Sequence, residues 1–223
     1  MPIEQIIGSV HGIVCFLIYY ACISLWNPTT KLYRIIHPPT FPDDHKWGVR
    51  QALGFGLDSI HDDFKVVATV DSHSRVYSVN RNVWRMLPSN HTDLPYKRNF
   101  ELCANNFLLS IGLSGMMAFD LNNEVLNCGI KLPVTTFNCT VTDFKNSQAQ
   151  AYITEFNASI AVIIFKKMGE NQSSALINLW ALDDEASLRG GGIEASWTLM
   201  LNIDVSLQLQ IQTVVAYSDI VIY

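Results

Sequence analysis

A polar turn between two β-rich segments returns four times along this chain, and this repeat constrains the fold more than any other feature of the sequence. The four copies read ISLWNPTTKLYRII, VYSVNRNVWRML, MMAFDLNNEVLNCGIKL and INLWALDDEASLRGGGIEASWTLML. The segment before the turn ends at Trp26, Val79, Phe119 and Trp180, so the turn recurs at intervals of roughly 40 to 60 residues, close to the length of kelch and WD-type blades. The repeat predicts an all-β fold, a propeller-like array of short antiparallel strands in kelch-like or WD-like blades.

Short β-rich segments also fill the chain between these turns, and no segment shows a helical apolar period with caps. A β-sandwich would give short strands as well, but it offers no reason for one turn to recur. Trp26, Trp84, Trp180 and Trp197 fall on predicted strands, so we expect them to be buried and to cost about 3 to 5 kcal/mol when truncated to alanine.

The apolar run from Ile13 to Trp26 could be mistaken for a membrane or secretory segment. It is shorter than the roughly 20 residues of a membrane-spanning helix, and no basic region precedes it. The run is rich in β-branched and aromatic residues and ends at the turn sequence Asn27-Pro28. We interpret it as two strands of a β-hairpin.

Composition limits which classes of partner and which cellular compartment are expected. The chain has 223 residues, 49% of them hydrophobic and 16% charged, with a net charge of −5 and no basic stripe. Neither nucleic acid nor a membrane is an expected partner. The five cysteines are scattered without a C-x-x-C pair, which is typical of buried thiols in a reducing compartment. We expect a cytoplasmic protein, with the nucleus as the alternative.

Four short motifs were candidates for chemistry, and each lacks the context that its chemistry needs. Gly54–Gly56 has no third glycine of a dinucleotide loop and is interpreted as a strand bend, while Asp58–Lys65 lacks the central glycine of a calcium loop and is interpreted as a solvated turn. His91–Asp93 has no nucleophile elbow, and Arg189–Trp197 has no following helix to bind phosphate. The sequence therefore predicts no catalytic residue, no metal and no cofactor.

The ordered blocks GSVHGIVCF, ISLWNPTTKLYRII, LGFGLDSIHDDFKVV, VYSVNRNVWRML, MMAFDLNNEVL, INLWALDDE and EASWTLMLNI resemble the F-box-associated domain of plant F-box proteins, close to S-locus F-box-like and F-box/kelch-type members. The resemblance covers residues 8 to about 203, and LWNPTTK and GFGLDS…DDFKVV are its most specific parts. It implies a β-rich, propeller-like receptor for a target protein, joined to an F-box that binds the Skp adaptor of a cullin-based ubiquitin ligase. The function implied is recruitment of that target for ubiquitination.

Two departures from the family pattern shape the domain prediction. The family-like blocks begin at Gly8, without an F-box before them, and the chain ends at Tyr223 soon after the SWT strand. We therefore expect residues 1–223 to be a single F-box-associated domain that lacks the F-box and is truncated at its C-terminus. Alone it should not bind the Skp adaptor. A non-functional truncated paralogue is an alternative.

Three predicted loops carry the candidate partner-binding residues, because propellers contact partners through the loops between strands. They combine aromatic and arginine side chains, typical of interface hot spots, with acidic and histidine neighbours: Asp43, Asp44, His45, Trp47, His91, Asp93, Tyr96, Lys97, Arg98 and Arg189. A glycan- or small-ligand-binding β-domain is the alternative class, since Trp47 is the one tryptophan predicted in a loop beside acidic residues.

Overall fold

The fold is built almost entirely from antiparallel strands. The computed structural model describes residues 3–18, 22–37, 39, 51–70, 73–88, 99–112, 115–133, 149–168, 174–190 and 194–206. Within these residues it contains 16 strands, and its helical content is the 3₁₀ helix Glu185–Arg189. No helix in the described part of the chain has the length and apolar character needed to cross a membrane.

The strands form four sheets of four, and in each sheet every strand pairs with the next one along the chain. Sheet 1 consists of β1 Ile3–Val10, β2 Ile13–Ile18, β3 Cys22–Trp26 and β4 Tyr33–Ile36. Sheet 2 consists of β5 Gln51–Asp58, β6 Asp63–Val70, β7 His73–Ser78 and β8 Val83–Met86. Sheet 3 consists of β9 Leu102–Ala104, β10 Phe107–Ile111, β11 Met116–Asp120 and β12 Val125–Ile130. Sheet 4 consists of β13 Ala149–Phe156, β14 Ser159–Met168, β15 Ser174–Leu182 and β16 Trp197–Ser206.

This architecture confirms the predicted all-β array of short antiparallel strands, and β2 with β3 confirms the hairpin predicted from the apolar run. Packing divides the chain into two compact units, Met1–Gly129 and Ile130–Tyr223. The first unit holds sheets 1 to 3, apart from the last residue of β12, and the second holds sheet 4.

Within the first unit, sheet 2 packs through both of its faces. Successive side chains of a strand point to opposite faces, so the neighbours Val66 and Val67 of β6 enter different cores. Val66 packs with Cys15 and Ile23 of sheet 1, whereas Val67 packs with core residues of sheet 3 such as Phe119. The fourth strand of this sheet, β8, is in contrast largely exposed.

The recurring turn owes its shape to two features at fixed positions. Its first residue accepts hydrogen bonds from turn amides through a side-chain oxygen, as Asn27 Oδ1 does from the amide nitrogens of Thr29 and Thr30 at 3.0 and 3.1 Å. Its fifth residue, Lys31, has a left-handed backbone with φ of +61°. We call this arrangement the anchored turn. The anchor oxygen accepts hydrogen bonds from turn amides that have no strand partner.

Three more anchored turns follow in sheets 2 and 3. Their anchors are Asp58, Ser78 and Asp120, and their left-handed fifth residues are Asp62, Asn82 and Glu124. The turn of sheet 4 is longer and contains the 3₁₀ helix, whose first amide donors are capped by Asp184. The repeat predicted from the sequence thus joins the third and fourth strands of every sheet, and a further copy joins β5 to β6.

The prediction that these tryptophans are largely buried holds for Trp180, is met in part at Trp84 and Trp197, and is wrong for Trp26. Trp180 is buried, with 6% of its surface exposed, but Trp26 is 39% exposed because it is the last residue of β3, beside the turn. Trp84 and Trp197 are half-buried. Both lie on fourth strands, and their indole N–H groups donate to the carbonyl oxygens of His37 and Lys131 at 2.9 Å.

The sequence did not reveal the first strands β1, β5 and β9. The Gly54–Gly56 segment, interpreted as a strand bend, lies inside β5, which pairs with β6 in continuous register. A Cβ atom at Gly54 would lie 2.7 Å from Phe100 Cδ2, and one at Gly56 would lie 2.6 Å from Leu121 Cδ1. These glycines let β5 approach sheet 3 closely. The sequence also predicts a strand over the β-rich residues 209–216, which lie outside the described residues.

Candidate binding site

A cavity of about 590 Å³ opens in the first unit where three anchored turns come together. The turns join β5 to β6, β7 to β8 and β11 to β12. Each leads from an odd-numbered strand to the next strand of an antiparallel sheet, so the two turns of sheet 2 lie at the same end of that sheet. The cavity is lined mainly by charged and amide side chains from these turns and from β6 and β8.

The floor of the cavity is an ion network around Lys65. Its ammonium nitrogen lies 2.6 Å from Asp58 Oδ2, 2.9 Å from Glu124 Oε1 and 2.6 Å from the carbonyl oxygen of Leu121. An ammonium group has three N–H donors, so these three acceptors use all of them. Only 4% of the Lys65 side chain and none of the Asp58 side chain is exposed. The network therefore joins sheet 2 to sheet 3 in a site shielded from water.

Asp58 is both a turn anchor and a member of this network. Its Oδ1 accepts from the amides of Ile60 and His61, both at 3.1 Å, and its Oδ2 contacts His61 Nδ1 at 2.8 Å as well as Lys65. Burial alone would raise the pKa of Asp58, but the hydrogen bonds from Lys65 and His61 and the ammonium charge hold the pKa below its ordinary value. Asp58 is therefore a bound carboxylate at neutral pH.

Glu124 completes the network from sheet 3. Its second oxygen pairs with the Arg85 guanidinium, whose side chain is 56% exposed while that of Glu124 is 15% exposed. Glu124 has a φ of +56°, a conformation that costs a residue with a side chain about 1 to 2 kcal/mol. Its ion pairs with Lys65 and Arg85 hold it there, so Glu124 positions Arg85 at the cavity.

Asp63 forms a separate buried pair at the same end of sheet 2. Its Oδ2 accepts from the Ser78 hydroxyl at 2.5 Å, and its Oδ1 accepts from the amide of Asn80 at 2.9 Å. Ser78 in turn anchors the turn that carries Arg81, whose amide lies 3.1 Å from the Ser78 hydroxyl oxygen. The position of Arg81 is thus set by buried groups.

Among the exposed residues that line the cavity are His61, Arg81 and Asn123. They occupy the same place, the fourth residue, in three anchored turns. Within the described residues, the Arg81 guanidinium makes no hydrogen bond or ion pair. The cavity therefore combines a fixed, buried charge network with side chains that are free to contact a partner.

The interpretation of Asp58–Lys65 as a solvated turn is wrong for Asp58, Asp63 and Lys65, which are all buried. Their partners Leu121 and Glu124 lie far along the chain, so local sequence could not reveal the network. One signal was present: Lys65 is a single cation among Phe64, Val66 and Val67. In the described ranges no cluster of His, Cys, Asp and Glu has the form of a metal site.

Of the predicted contact residues, Arg189 is the one that lies in the described part of the chain. Arg189 ends the 3₁₀ helix Glu185–Arg189 in the second unit and is exposed. The predicted residues at 43–47 and 91–98, with Trp47 among them, lie outside the described residues. Sequence reasoning missed the cavity residues because single turn positions such as Arg81 carry no motif.

Four of the cysteines lie in the described segments, and none of these four forms a disulfide. Cys15 is fully buried, and burial raises the pKa of the Cys15 and Cys103 thiols. A thiol with a raised pKa is a poor nucleophile at neutral pH, in keeping with a structural role.

Comparison with known proteins assigns the fold to a family. The family model described as the F-box associated beta propeller domain matches residues 1–214. The chain belongs to this family. The four-stranded sheets are accordingly propeller blades, and the resemblance seen in the sequence is confirmed.

Two relatives from Arabidopsis thaliana carry related names. An F-box/kelch-repeat protein is 36% identical over 89 residues, which cover 36% of this chain and 24% of that protein. A second protein, named as a candidate F-box protein, is 26% identical over 141 residues, which cover 59% of this chain and 37% of that protein. The matches thus cover about a quarter and about a third of the relatives' own lengths.

One solved structure also aligns with this F-box associated domain. The extracellular domain of a proposed one-component system from B. thetaiotaomicron matches 92% of this chain and 32% of its own chain, with 11% sequence identity and a TM-score of 0.39. A TM-score at that level carries no argument about function.

Proposed function

We propose that this F-box associated domain is a substrate receptor that binds a target protein at the cavity between the anchored turns of sheets 2 and 3. One observation carries the proposal: exposed side chains of three turns converge on a cavity whose floor is locked by the buried Lys65 network. Binding sites on a rigid, satisfied scaffold lose little conformational entropy when a partner binds.

Binding without catalysis fits the state of the acidic groups. Both oxygens of Asp58, Asp63 and Glu124 already accept hydrogen bonds or ion pairs from neighbouring groups. A general base needs a carboxylate that can reach the proton of a substrate. The acids of the cavity instead serve to position the surrounding side chains.

The proposal extends to ubiquitination when an F-box is joined to this domain. The F-box would bind the Skp adaptor of a cullin-based ubiquitin ligase while the domain holds the target. Membership of the F-box associated family and the F-box names of the relatives support this step. We propose the cytoplasm or the nucleus as the location of this complex. The residues at 43–47 and 91–98, and Arg189, stay predicted contacts with the target.

Site-specific cross-linking tests the receptor. A photo-reactive benzoylphenylalanine replaces Val83, which lines the cavity and is 51% exposed, or Leu32, which is 70% exposed on the anchored turn of sheet 1. After irradiation in plant tissue extract, we expect a discrete cross-linked protein from the Val83 variant and none from the Leu32 variant. Equal products from both positions, or products from Leu32 alone, would place the contact elsewhere.

A fusion tests the ligase step. We expect the Skp adaptor to co-precipitate with the chain when an F-box is fused to its N-terminus, and not with residues 1–223 alone. Expression of the fusion should accelerate turnover of the cross-linked target, whereas the unfused chain should protect the target by competition. Adaptor bound to the unfused chain would contradict the assignment of adaptor binding to the F-box.

A further inference from the structure

The charged acceptors of the cavity are occupied by neighbouring groups, whereas some of its charged donors are not. Buried Asp58 and Asp63 and half-buried Glu124 have both carboxylate oxygens in hydrogen bonds or ion pairs, and Lys65 has all three donors occupied. Among the charged groups that line the cavity, spare hydrogen-bonding capacity therefore lies on the donors of Arg81 and Arg85, while Asn122 Oδ1 is a neutral acceptor without a partner in the described residues. Two cationic donors with no uncommitted carboxylate beside them are complementary to an anionic acceptor.

The two arginines differ in how they are held. Glu124 pairs with one end of the Arg85 guanidinium, which has five N–H donors, so most of its donors remain available on a side chain that is 56% exposed. Arg81 is exposed, and its guanidinium makes no ion pair within the described residues. Its backbone is fixed by the Ser78 anchor. Arg85 is therefore oriented before a partner binds, whereas the Arg81 side chain can reorient to contact a bound group.

The geometry points to an anionic side chain of the target protein, a carboxylate or a phosphate, seated in the cavity against Arg81 and Arg85. This inference rests on the proposed function and names the chemistry that the receptor selects. Guanidinium groups bind carboxylate and phosphate through paired N–H donors, and two of them converging on one cavity favour such a group. A cationic side chain would meet both arginines and find no free carboxylate to pair with.

Asn123 and His61 are polar neighbours of the two arginines at the cavity. His61 Nδ1 donates to Asp58 Oδ2, so Nε2 of the neutral ring is an acceptor on a side chain that is 62% exposed. The side chain of Asn123 donates to Asp120 Oδ2 at 2.9 Å, which holds its amide in place. These neighbours would shape the site around the anion, while the arginines supply the charge.

Retention of peptide libraries on the immobilised 223-residue chain tests the inference. Each library is degenerate except for a central residue fixed as Glu, phosphoserine, Gln or Lys. We expect the Glu or phosphoserine library to be retained about fivefold more than the Gln library, and the Lys library least, with the preference falling as salt is raised. The ratio of Glu to phosphoserine retention separates an encoded acidic segment from a phosphorylated one.

Variants tie the preference to the two arginines. Arg81→Gln and the double change Arg81→Gln with Arg85→Gln should abolish the preference for an anion, whereas Lys131→Gln, at an exposed lysine of the second unit, should leave it intact. Arg81→Lys should keep part of the preference, because charge survives but the paired donors do not. Urea unfolding of each variant shows whether the fold is kept, and Arg81→Gln removes no hydrogen bond or ion pair among the described residues.

Two outcomes would overturn the inference: retention of the Lys library at or above the Glu and phosphoserine libraries, or an anion preference that survives the double change. The cross-link from the Val83 variant separates this failure from failure of the receptor. If that cross-link forms while no anion preference exists, the cavity still binds its target and only the chemistry assigned here is wrong.

Discussion

At the scale of single residues, Lys65 shows how a charge is kept inside an apolar strand. A buried ammonium loses its hydration, and only a complete set of acceptors offsets this cost. The acceptors come from Asp58 on the same sheet and from Glu124 and Leu121 on the next. The charge therefore contributes specificity of packing, since only one placement of sheet 3 brings both of its acceptors to the ammonium.

Replacing Lys65 by methionine tests this role. Methionine keeps much of the side-chain volume but leaves the buried Asp58 carboxylate without its lysine partner and Glu124 with Arg85 alone, so we expect a loss of about 3 to 5 kcal/mol in the free energy of unfolding. Urea denaturation followed by circular dichroism measures it. Lys131→Met is the matched control, because the Lys131–Glu194 pair is exposed at both ends and its loss should not be measurable. A small effect at Lys65 would mean that the network is dispensable.

The pH dependence of stability should report Asp58. Its pKa is lowered in the folded protein relative to the ordinary value of 3.8, so the carboxylate stabilises the fold above that value. The stabilisation is lost as the pH falls through the folded-state pKa. Asp58→Asn keeps the oxygen that anchors the turn, as Asn27 does in sheet 1, but removes the charge.

We therefore expect Asp58→Asn to be less stable than the natural protein at pH 7 and pH 5, with the difference shrinking below about pH 4. Urea unfolding across this pH range measures the difference. Asp62→Asn is the control, since Asp62 is exposed and asparagine tolerates its left-handed backbone. If the difference in unfolding free energy between Asp58→Asn and the natural protein grew as the pH fell, the lowered pKa of Asp58 would be contradicted.

At the scale of elements, the turns were readable from the sequence and the first strands were not. Anchored turns are local, because an Asn, Asp or Ser at a strand end bonds amides two and three residues on. By contrast β5 contains Gly54 and Gly56, which weaken a strand pattern, and β9 has three residues. Their strand conformation depends on packing between sheets, which a single sequence does not display.

The glycines of β5 give a prediction at this scale. Gly54→Ala would place a methyl group 2.7 Å from Phe100 Cδ2 and 2.8 Å from Leu108 Cδ1, so we expect a loss of about 1 to 3 kcal/mol from overpacking. Gly8→Ala in β1 is the matched control, because the added atom finds nothing nearer than 3.8 Å. Its stability should be unchanged or slightly higher. Urea unfolding compares the two, and equal losses would refute the close-approach explanation.

At the scale of the whole molecule, strands of one blade differ in how much of their surface is shielded from solvent. Within the first unit, β6 is buried along nearly its whole length and packs into two cores, whereas β8 on the same sheet is largely exposed. The sequence predicted blades but not this gradient, since it gave Trp84 of β8 a buried place. Burial in a blade depends on which neighbour covers each strand.

Hydrogen exchange measures the gradient. Amides of β6 should exchange far more slowly than those of β8, because opening β6 disrupts two hydrophobic cores and the Lys65 network together. Mass spectrometry of peptic fragments covering 63–70 and 83–86 gives the two rates. Strands β10 and β11, also buried throughout, serve as an internal reference for slow exchange. Equal rates in β6 and β8 would show that sheet 2 opens as one unit.

The anchored turns separate the residues that shape the chain from those that face a partner. The anchor oxygen and the left-handed fifth residue close each turn, while the fourth residue is His61 in one turn, Arg81 in another and Asn123 in a third. The fourth residue closes the turn mainly through its backbone amide, which other residues except proline also supply, so substitution there should alter binding more than it alters the frame. Randomising these three positions together would give a library of receptors on one scaffold, and gene duplication could diversify target choice by the same route.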